Sequence, residues 1–282
     1  MDKYISAEHK ILDLGAGTGI YSFYYADKGS SIISTDLTPK HVEIIQSKIE
    51  SGGYTDMTAE AADATDLSGF EPGSFDAVFC LGPMYHLRER ADQRKCISEC
   101  LRVLKPGGIL AVAYINKFFM FPYLVKGDSR FLTSRWMAKF LEEGRISSAD
   151  EDCFWTYAYF HTPEEIEQLL GDHGADKLEH AATDGIGVIM RDTVNGFSEE
   201  QFDSSISSKN MLRAVHSWHQ QSRSVCGTEI AANFRAIVEK DRSFVNADEA
   251  CLCVFIRIFP ATSEADLVRG EDGGPANRAD RL

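Results

Sequence analysis

Five apolar stretches punctuate residues 9–115, and the segments between them place their apolar residues at helical spacing. HKILDLG (9–15) ends in glycine, and SIISTDL (31–37) is β-branched and closes on an acid. MTAEAAD (57–63) is weaker but also ends in an acid, while FDAVFCLG (75–82) and GILAVAYI (108–115) have the unbroken apolar character of buried strands. Thr38-Pro39 predicts a helix start, with Val42, Ile45 and Ile49 following on one face. Arg88 to Leu104 carries Ile97, Cys100, Leu101 and Leu104 on one stripe, and Lys105-Pro106-Gly107-Gly108 predicts its end. Strands alternating with helices imply right-handed βαβ crossovers and a parallel sheet covered on both faces, with ligands at the carboxyl ends of its strands.

Residues 116–161 break the rhythm and hold 12 of the chain's 30 aromatic residues. So apolar a segment predicts a small helical lid over the sheet's carboxyl edge. Regular structure resumes at Thr162-Pro163-Glu164-Glu165, a capping box with proline at the first helical position. ADKLEHAATDGI (175–186) reads as a strand, and Ser198 to Gln201 as a second capping box. ACLCVFIRIF (250–259) reads as a final antiparallel strand, placed between strand five and the 175–186 strand. Residues 195–249 are rich in polar helix formers and match no compact pattern. The tail from Ala261 has 8 charged residues in 22 and predicts disorder. The expected organisation is therefore a cofactor-binding half over 1–115, an aromatic lid over 116–161, a half completing the sheet over 162–260, and a disordered tail over 261–282.

Composition narrows the partners. With 29 Lys and Arg against 43 Asp and Glu, the 282-residue chain carries a net charge of −14, which argues against nucleic acid or an anionic membrane as a partner. No apolar run is long enough to span a bilayer, and the N-terminal residues lack a signal-peptide core. Seven scattered cysteines without a C-x-x-C pair read as reduced thiols in a cytoplasmic protein. Cys96 and Cys100, and Cys251 and Cys253, read as small core residues; His216 and His219 have no further ligands at useful spacing, so no metal is expected.

The chemistry concentrates in Asp13-Leu14-Gly15-Ala16-Gly17-Thr18-Gly19, which follows a strand and opens a helix. Alternating glycines allow a sharp turn and close approach of a ligand to the backbone. Asp36, closing the next strand, stands where a carboxylate would accept both hydroxyls of a ribose. A dinucleotide fingerprint requires a third glycine at position 20, which is Ile20 here. S-adenosylmethionine has no phosphate; its ammonium and carboxylate suit Asp13 and a helix N-terminus respectively.

The stretch ILDLGAGTG, Asp36 after strand two, Asp63-Ala64 after strand three, FDAVFCLGPMYHL, and RVLKPGG before strand five resemble the class I S-adenosylmethionine-dependent methyltransferases, in particular the small-molecule branch of the ubiquinone/menaquinone-biosynthesis type. The resemblance implies an α/β, Rossmann-like, doubly wound, mostly parallel sheet with an antiparallel last strand and an aromatic-rich helical insertion after strand five. It implies that Gly15, Gly17 and Gly19 cradle the methionyl part and that Asp36 holds the ribose. Asp63 and Ala64 would meet the adenine edge, Leu37 its face, and Leu81 would lie against the cofactor. Asp36 and Asp63 also suit capping of the helices that follow them.

Methyl transfer from a sulfonium needs alignment and exclusion of water, and a base only where the acceptor must lose a proton. The segment Gly82-Pro83-Met84-Tyr85-His86 faces the methyl group in this family, making His86 the first candidate for base or acceptor positioner and Tyr85 the second; packing at a helix start is the competing role for His86. GPMY departs from the N/D-P-P-Y signature of amino-group methyltransferases at Gly82 and Met84, so DNA or amide methylation is not expected. Tyr157, Tyr159 and His161 suit either the acceptor pocket or a strand packed on the core. The lid aromatics favour a small apolar or aromatic acceptor. A cofactor-binding protein without turnover is the alternative from a different class.

Overall fold

The computed structural model describes residues 1–150, 157–182, 196, 198 and 252–258. Residues 199–201 of the second capping-box pattern, His216 and His219, nearly all of 195–249 and the 261–282 tail lie outside the described residues. Nine strands are described: β1 (Lys10–Leu14), β2 (Ser31–Asp36), β3 (Met57–Ala61), β4 (Phe75–Cys80), β5 (Leu104–Asn116), β6 (Arg145–Ile146), β7 (Ala158–His161), β8 (Asp176–Ala182) and β9 (Leu252–Ile258). The helices are α1 (Ile20–Ala26), α2 (Pro39–Gly52), α3 (Arg90–Val103), α4 (Lys117–Gly127), α5 (Ser134–Met137) and α6 (Pro163–Gly171).

The sheet runs β3-β2-β1-β4-β5-β7-β6, and β3 through β5 are mutually parallel. β9 lies antiparallel against β5, from Ile109↔Ile258 to Ile115↔Leu252, and β8 pairs antiparallel with its other edge. The last strand thus inserts where the sequence placed it. Side-chain alternation divides the core into two layers. Leu12, Leu14, Val78, Leu110, Val112 and Tyr114 pack with α3 and α6 on one face. Ile11, Ala77, Phe79, Ile109, Ala111 and Ala113 meet Tyr25 of α1 and Ile45 of α2 on the other.

Two local expectations are modified. Thr38 is the N-cap of α2 and Pro39 its first residue, but the Thr38 hydroxyl caps nothing; its own N–H instead donates to Asp36 Oδ1 at 2.8 Å. α3 does end at Val103, before the predicted stop Lys105-Pro106-Gly107-Gly108, but that stretch then enters β5 irregularly, where the pairing with β4 slips between Phe75 and Ala77. Gly107 reaches φ +78, and a Cβ on Gly108 would lie 2.7 Å from Leu104 Cδ1 and 2.9 Å from the Asp76 carbonyl oxygen. Glycine is what lets the chain fold back into the sheet there.

After β5 comes a helical insertion. Asn116, the last strand residue, caps α4 by accepting from the Phe118 N–H at 2.9 Å. α4, α5 and a π-helical turn over 138–143 bury Phe119, Met120, Leu124, Trp136 and Phe140 together with Ile146, Ala158 and Phe160. The end of this segment is a strand: β7 pairs with β5 through Ile115↔Phe160 and Asn116↔His161. Two of its basic residues are paired locally: Lys139 with Asp150 at 2.8 Å, and Arg130 with Asp128 at 2.6 Å. No helix among the described residues is long and apolar enough to cross a membrane.

Candidate functional site

The carboxyl ends of β1, β2, β3 and β4 lie along one edge of the parallel sheet, and the turn from β1 into α1 stands at that edge, which is the candidate cofactor crevice. Gly15, Gly17 and Gly19 all have positive φ, at +66, +58 and +85. A Cβ on Gly15 would meet Pro83 Cδ at 3.1 Å, and one on Gly82 would meet the Gly15 carbonyl oxygen at 3.0 Å. The β1 and β4 turns therefore touch through glycine, so Gly82 has a steric reason to be there that the motif comparison could not supply. Met84, the other departure from that motif, is fully buried beneath the turn. Nothing lies within 4 Å of a Cβ placed on Gly17, where the crevice is open.

Asp36 joins the crevice to the chain. Its Oδ2 accepts from the Gly17 N–H at 2.9 Å, its Oδ1 accepts from Thr38 N–H, and His41 Nδ1 lies 3.2 Å from Oδ1 without hydrogen-bond geometry. Each carboxylate oxygen retains a further lone pair. The next residue, Leu37, is 71% exposed, an apolar side chain left in solvent beside a buried acid. Asp63 sits exposed after β3, accepting from the Thr65 N–H at 2.8 Å and hydroxyl at 2.9 Å, and Ala64 packs against the core below. Leu81 is buried at the end of β4. Neither acid caps a helix among the described residues: Thr38 is the N-cap of α2, no helix lies between β3 and β4, and each acid instead accepts from the N–H two residues on.

Asp13 points inward. It is buried, and its Oδ2 accepts from Ser22 Oγ at 2.6 Å, while Ser34 Oγ donates to Ser22 Oγ at 2.8 Å. Burial pushes the Asp13 carboxyl up to about 6; the Ser22 hydrogen bond opposes this and the nearby Asp36 charge adds to it.

Tyr85 and His86 follow on the short turn Pro83–Tyr85, which β7 and β5 abut. Their rings lie 4.7 Å apart, and Tyr85 packs against the aromatic cluster of the insertion, as Phe121 and Tyr123 also do. The His86 side chain meets solvent but is crowded by protein, and that desolvation lowers its pKa. The Tyr157 main chain and the Asp36 charge oppose the shift, so Asp36 and His86 share one electrostatic environment. Arg88 lies over the Tyr157 ring, 4.0 Å from its centroid. Tyr159 and His161 alternate away from Ala158 and Phe160, which face the insertion's core. His161 is fully buried, with a pKa lowered to about 3 by desolvation and the Arg90 charge.

Known proteins share this arrangement in sequence and in fold. Residues 11–108 match the family described as a methyltransferase domain. This stretch of the chain is thus similar to methyltransferase domains. The chain is similar to the ubiquinone biosynthesis O-methyltransferase of Xanthomonas euvesicatoria, 33% identical over 109 residues, which is 38% of this chain and 44% of that protein. The corresponding protein of Xanthomonas axonopodis is 32% identical over 121 residues, covering 41% and 48% respectively. The chain thus matches less than half the length of these relatives. Among solved structures, a SAM-dependent methyltransferase from Methanosarcina mazei superposes with a TM-score of 0.58 at 18% identity, covering 92% of this chain and 96% of that one. The cyclase SpnF superposes with a TM-score of 0.52 at 19% identity, covering 91% and 76%. The fold is common to all of them, and the chemistry of a methyltransferase domain must be argued from its own site.

Proposed function

We propose that the protein transfers a methyl group from S-adenosylmethionine to a hydroxyl of a small molecule with an aromatic or apolar body. The observation carrying this reading is the crevice itself: an open glycine turn, a buried carboxylate already bonded to it, and an exposed apolar side chain next in sequence. These residues fit the cofactor. Gly15, Gly17 and Gly19 leave room for its methionyl chain, Asp36 accepts from the ribose hydroxyls, and Leu37 covers an adenine face. Asp63 and Ala64 meet the adenine edge and Leu81 lies beneath. Asp13 acts through its charge, since its carboxylate is engaged by Ser22. Bound there, S-adenosylmethionine supplies a methyl group already activated on a sulfonium.

The protein's own contribution is alignment, dryness and a proton acceptor. Tyr85 and the insertion aromatics Phe121 and Tyr123 form an apolar wall for the acceptor. His86 takes the hydroxyl proton on a ring nitrogen, and its lowered pKa keeps that nitrogen unprotonated at neutral pH. The O-methyltransferase names of the Xanthomonas relatives favour oxygen as the attacked atom. The test is to incubate the protein with labelled methyl donor and a panel of phenols, amines and carbon acids, with calorimetry of S-adenosylhomocysteine against NAD alongside. Label on phenols and binding of S-adenosylhomocysteine alone support the reading. Binding of NAD alone, or cofactor binding with no label on any acceptor, overturns it.

A further inference from the structure

Cys80 ends β4, and Cys96 and Cys100 stand one turn apart on α3; all three are fully buried and unbridged. Their sulfurs lie within 4.8 Å of one another, and the Cys80–Cys96 separation is 3.7 Å. An ion equidistant from sulfurs so spaced sits no more than about 2.6 Å from each, within a few tenths of an ångström of the zinc–thiolate bond length of about 2.3 Å. The surroundings are apolar: Met84, Ile97, Val103 and Val112 belong to the same cluster. Alanine or valine would fill this space equally well; thiols add three soft donors converging on one point, a ligand set that selects against hard cations such as magnesium and calcium.

We propose that Cys80, Cys96 and Cys100 form a three-sulfur binding site for a thiophilic d10 cation of the zinc or cadmium class. On binding, three S–H bonds release their protons to solvent and three metal–sulfur bonds form, with no change of oxidation state; a divalent ion then leaves a complex of single negative charge. The placement gives the site a consequence. The chain leaves Cys80, runs through Gly82–His86, and returns into α3, so an ion here ties together the two ends of the turn carrying Tyr85 and His86. This inference does not depend on the methyl-transfer reading, because the three sulfurs belong to the buried core layer and none is assigned to cofactor or acceptor.

Cadmium is the probe, since its thiolate complexes absorb in the near ultraviolet. Reduced protein in which Cys153, Cys226, Cys251 and Cys253 are serine is titrated with cadmium, alongside the wild type. One equivalent should saturate the charge-transfer band in both, and adding Cys80→Ser, Cys96→Ser or Cys100→Ser should abolish saturation at one equivalent. X-ray absorption of the cadmium-loaded wild type needs no variant to fold and should show a shell of three sulfurs. Absence of the band from the wild type, its persistence in all three serine variants, or an oxygen-dominated shell overturns the proposal.

Discussion

At the scale of single residues, Asp36 makes the most demanding prediction. Its carboxylate bonds the Gly17 and Thr38 N–H groups of the chain itself, and the proposed function asks it to accept from a ribose as well. Asp36→Ala should weaken S-adenosylhomocysteine binding by about 1.5–3 kcal/mol, the range for hydrogen bonds to a charged group. Calorimetry giving the wild-type affinity would remove Asp36 from the site. His86→Ala should leave that affinity intact and lower turnover. If His86 is the base, activity rises with pH as the ring loses its proton; because desolvation lowers its pKa, the acid limb should lie below 6.5. A limb above 6.5, or one unchanged in His86→Ala, would assign the titration to another group. The positions of these residues were legible because glycine, acid and histidine recur at fixed places after successive strands. The contact between Gly82 and Gly15 was not, since it joins turns far apart in sequence and depends on backbone separation. The convergence of Cys80 with Cys96 and Cys100 was hidden for the same reason: helical spacing reveals only the second and third.

At the scale of elements, chain ends governed by local hydrogen bonds were the most readable. The α6 capping box is complete: Glu165 N–H donates to Thr162 Oγ1 at 3.2 Å and Thr162 N–H donates to Glu165 Oε2 at 2.7 Å. Thr162→Ala should therefore cost about 1 kcal/mol of unfolding free energy, measured by urea titration, and Thr162→Ser should retain most of it. An alanine variant as stable as the wild type would mean that burial of Ile166, Leu169 and Leu170 alone fixes α6. Elements set by tertiary pairing were less readable. The alternation of Tyr157, Tyr159 and His161 suits a strand as well as a pocket wall, and it is the pairing of Phe160 and His161 with Ile115 and Asn116 that fixes the strand's place. Lys105–Gly108 follows the end of α3 as read, but its capture by β4 into β5 was not legible, since it depends on glycine tolerating both the positive φ and the close approach of Leu104.

At the scale of the whole molecule, the strand order puts β1 at the middle of the parallel sheet, and Asp13 thereby becomes a charge in the driest layer. Periodicity identified the strand, but only its place between β2 and β4 shows how costly the acid is. Burial raises the folded-state pKa of Asp13 to about 6, against an unfolded value near the ordinary carboxylate range. The native state therefore holds this proton more tightly than the unfolded chain does. Its stabilising contribution is complete below the unfolded pKa and is lost as pH rises through about 6. A shift of roughly 2 units corresponds to about 3 kcal/mol lost between acid and neutral pH. Asp76, Glu99 and Asp150 run the other way: hydrogen bonds and ion pairs to Lys105, Arg102 and Lys139 hold their pKa values low, so their smaller, partly screened contributions vanish on strong acidification. The ligand-free protein should thus be most stable at mildly acidic pH. Asp13→Asn keeps an acceptor for Ser22 Oγ–H but removes the titration, so it should be more stable than the wild type at pH 7.5 and nearly equal to it at pH 4.5. Urea unfolding at the two pH values decides the matter: an equal wild-type and Asp13→Asn dependence on pH would place the buried proton elsewhere.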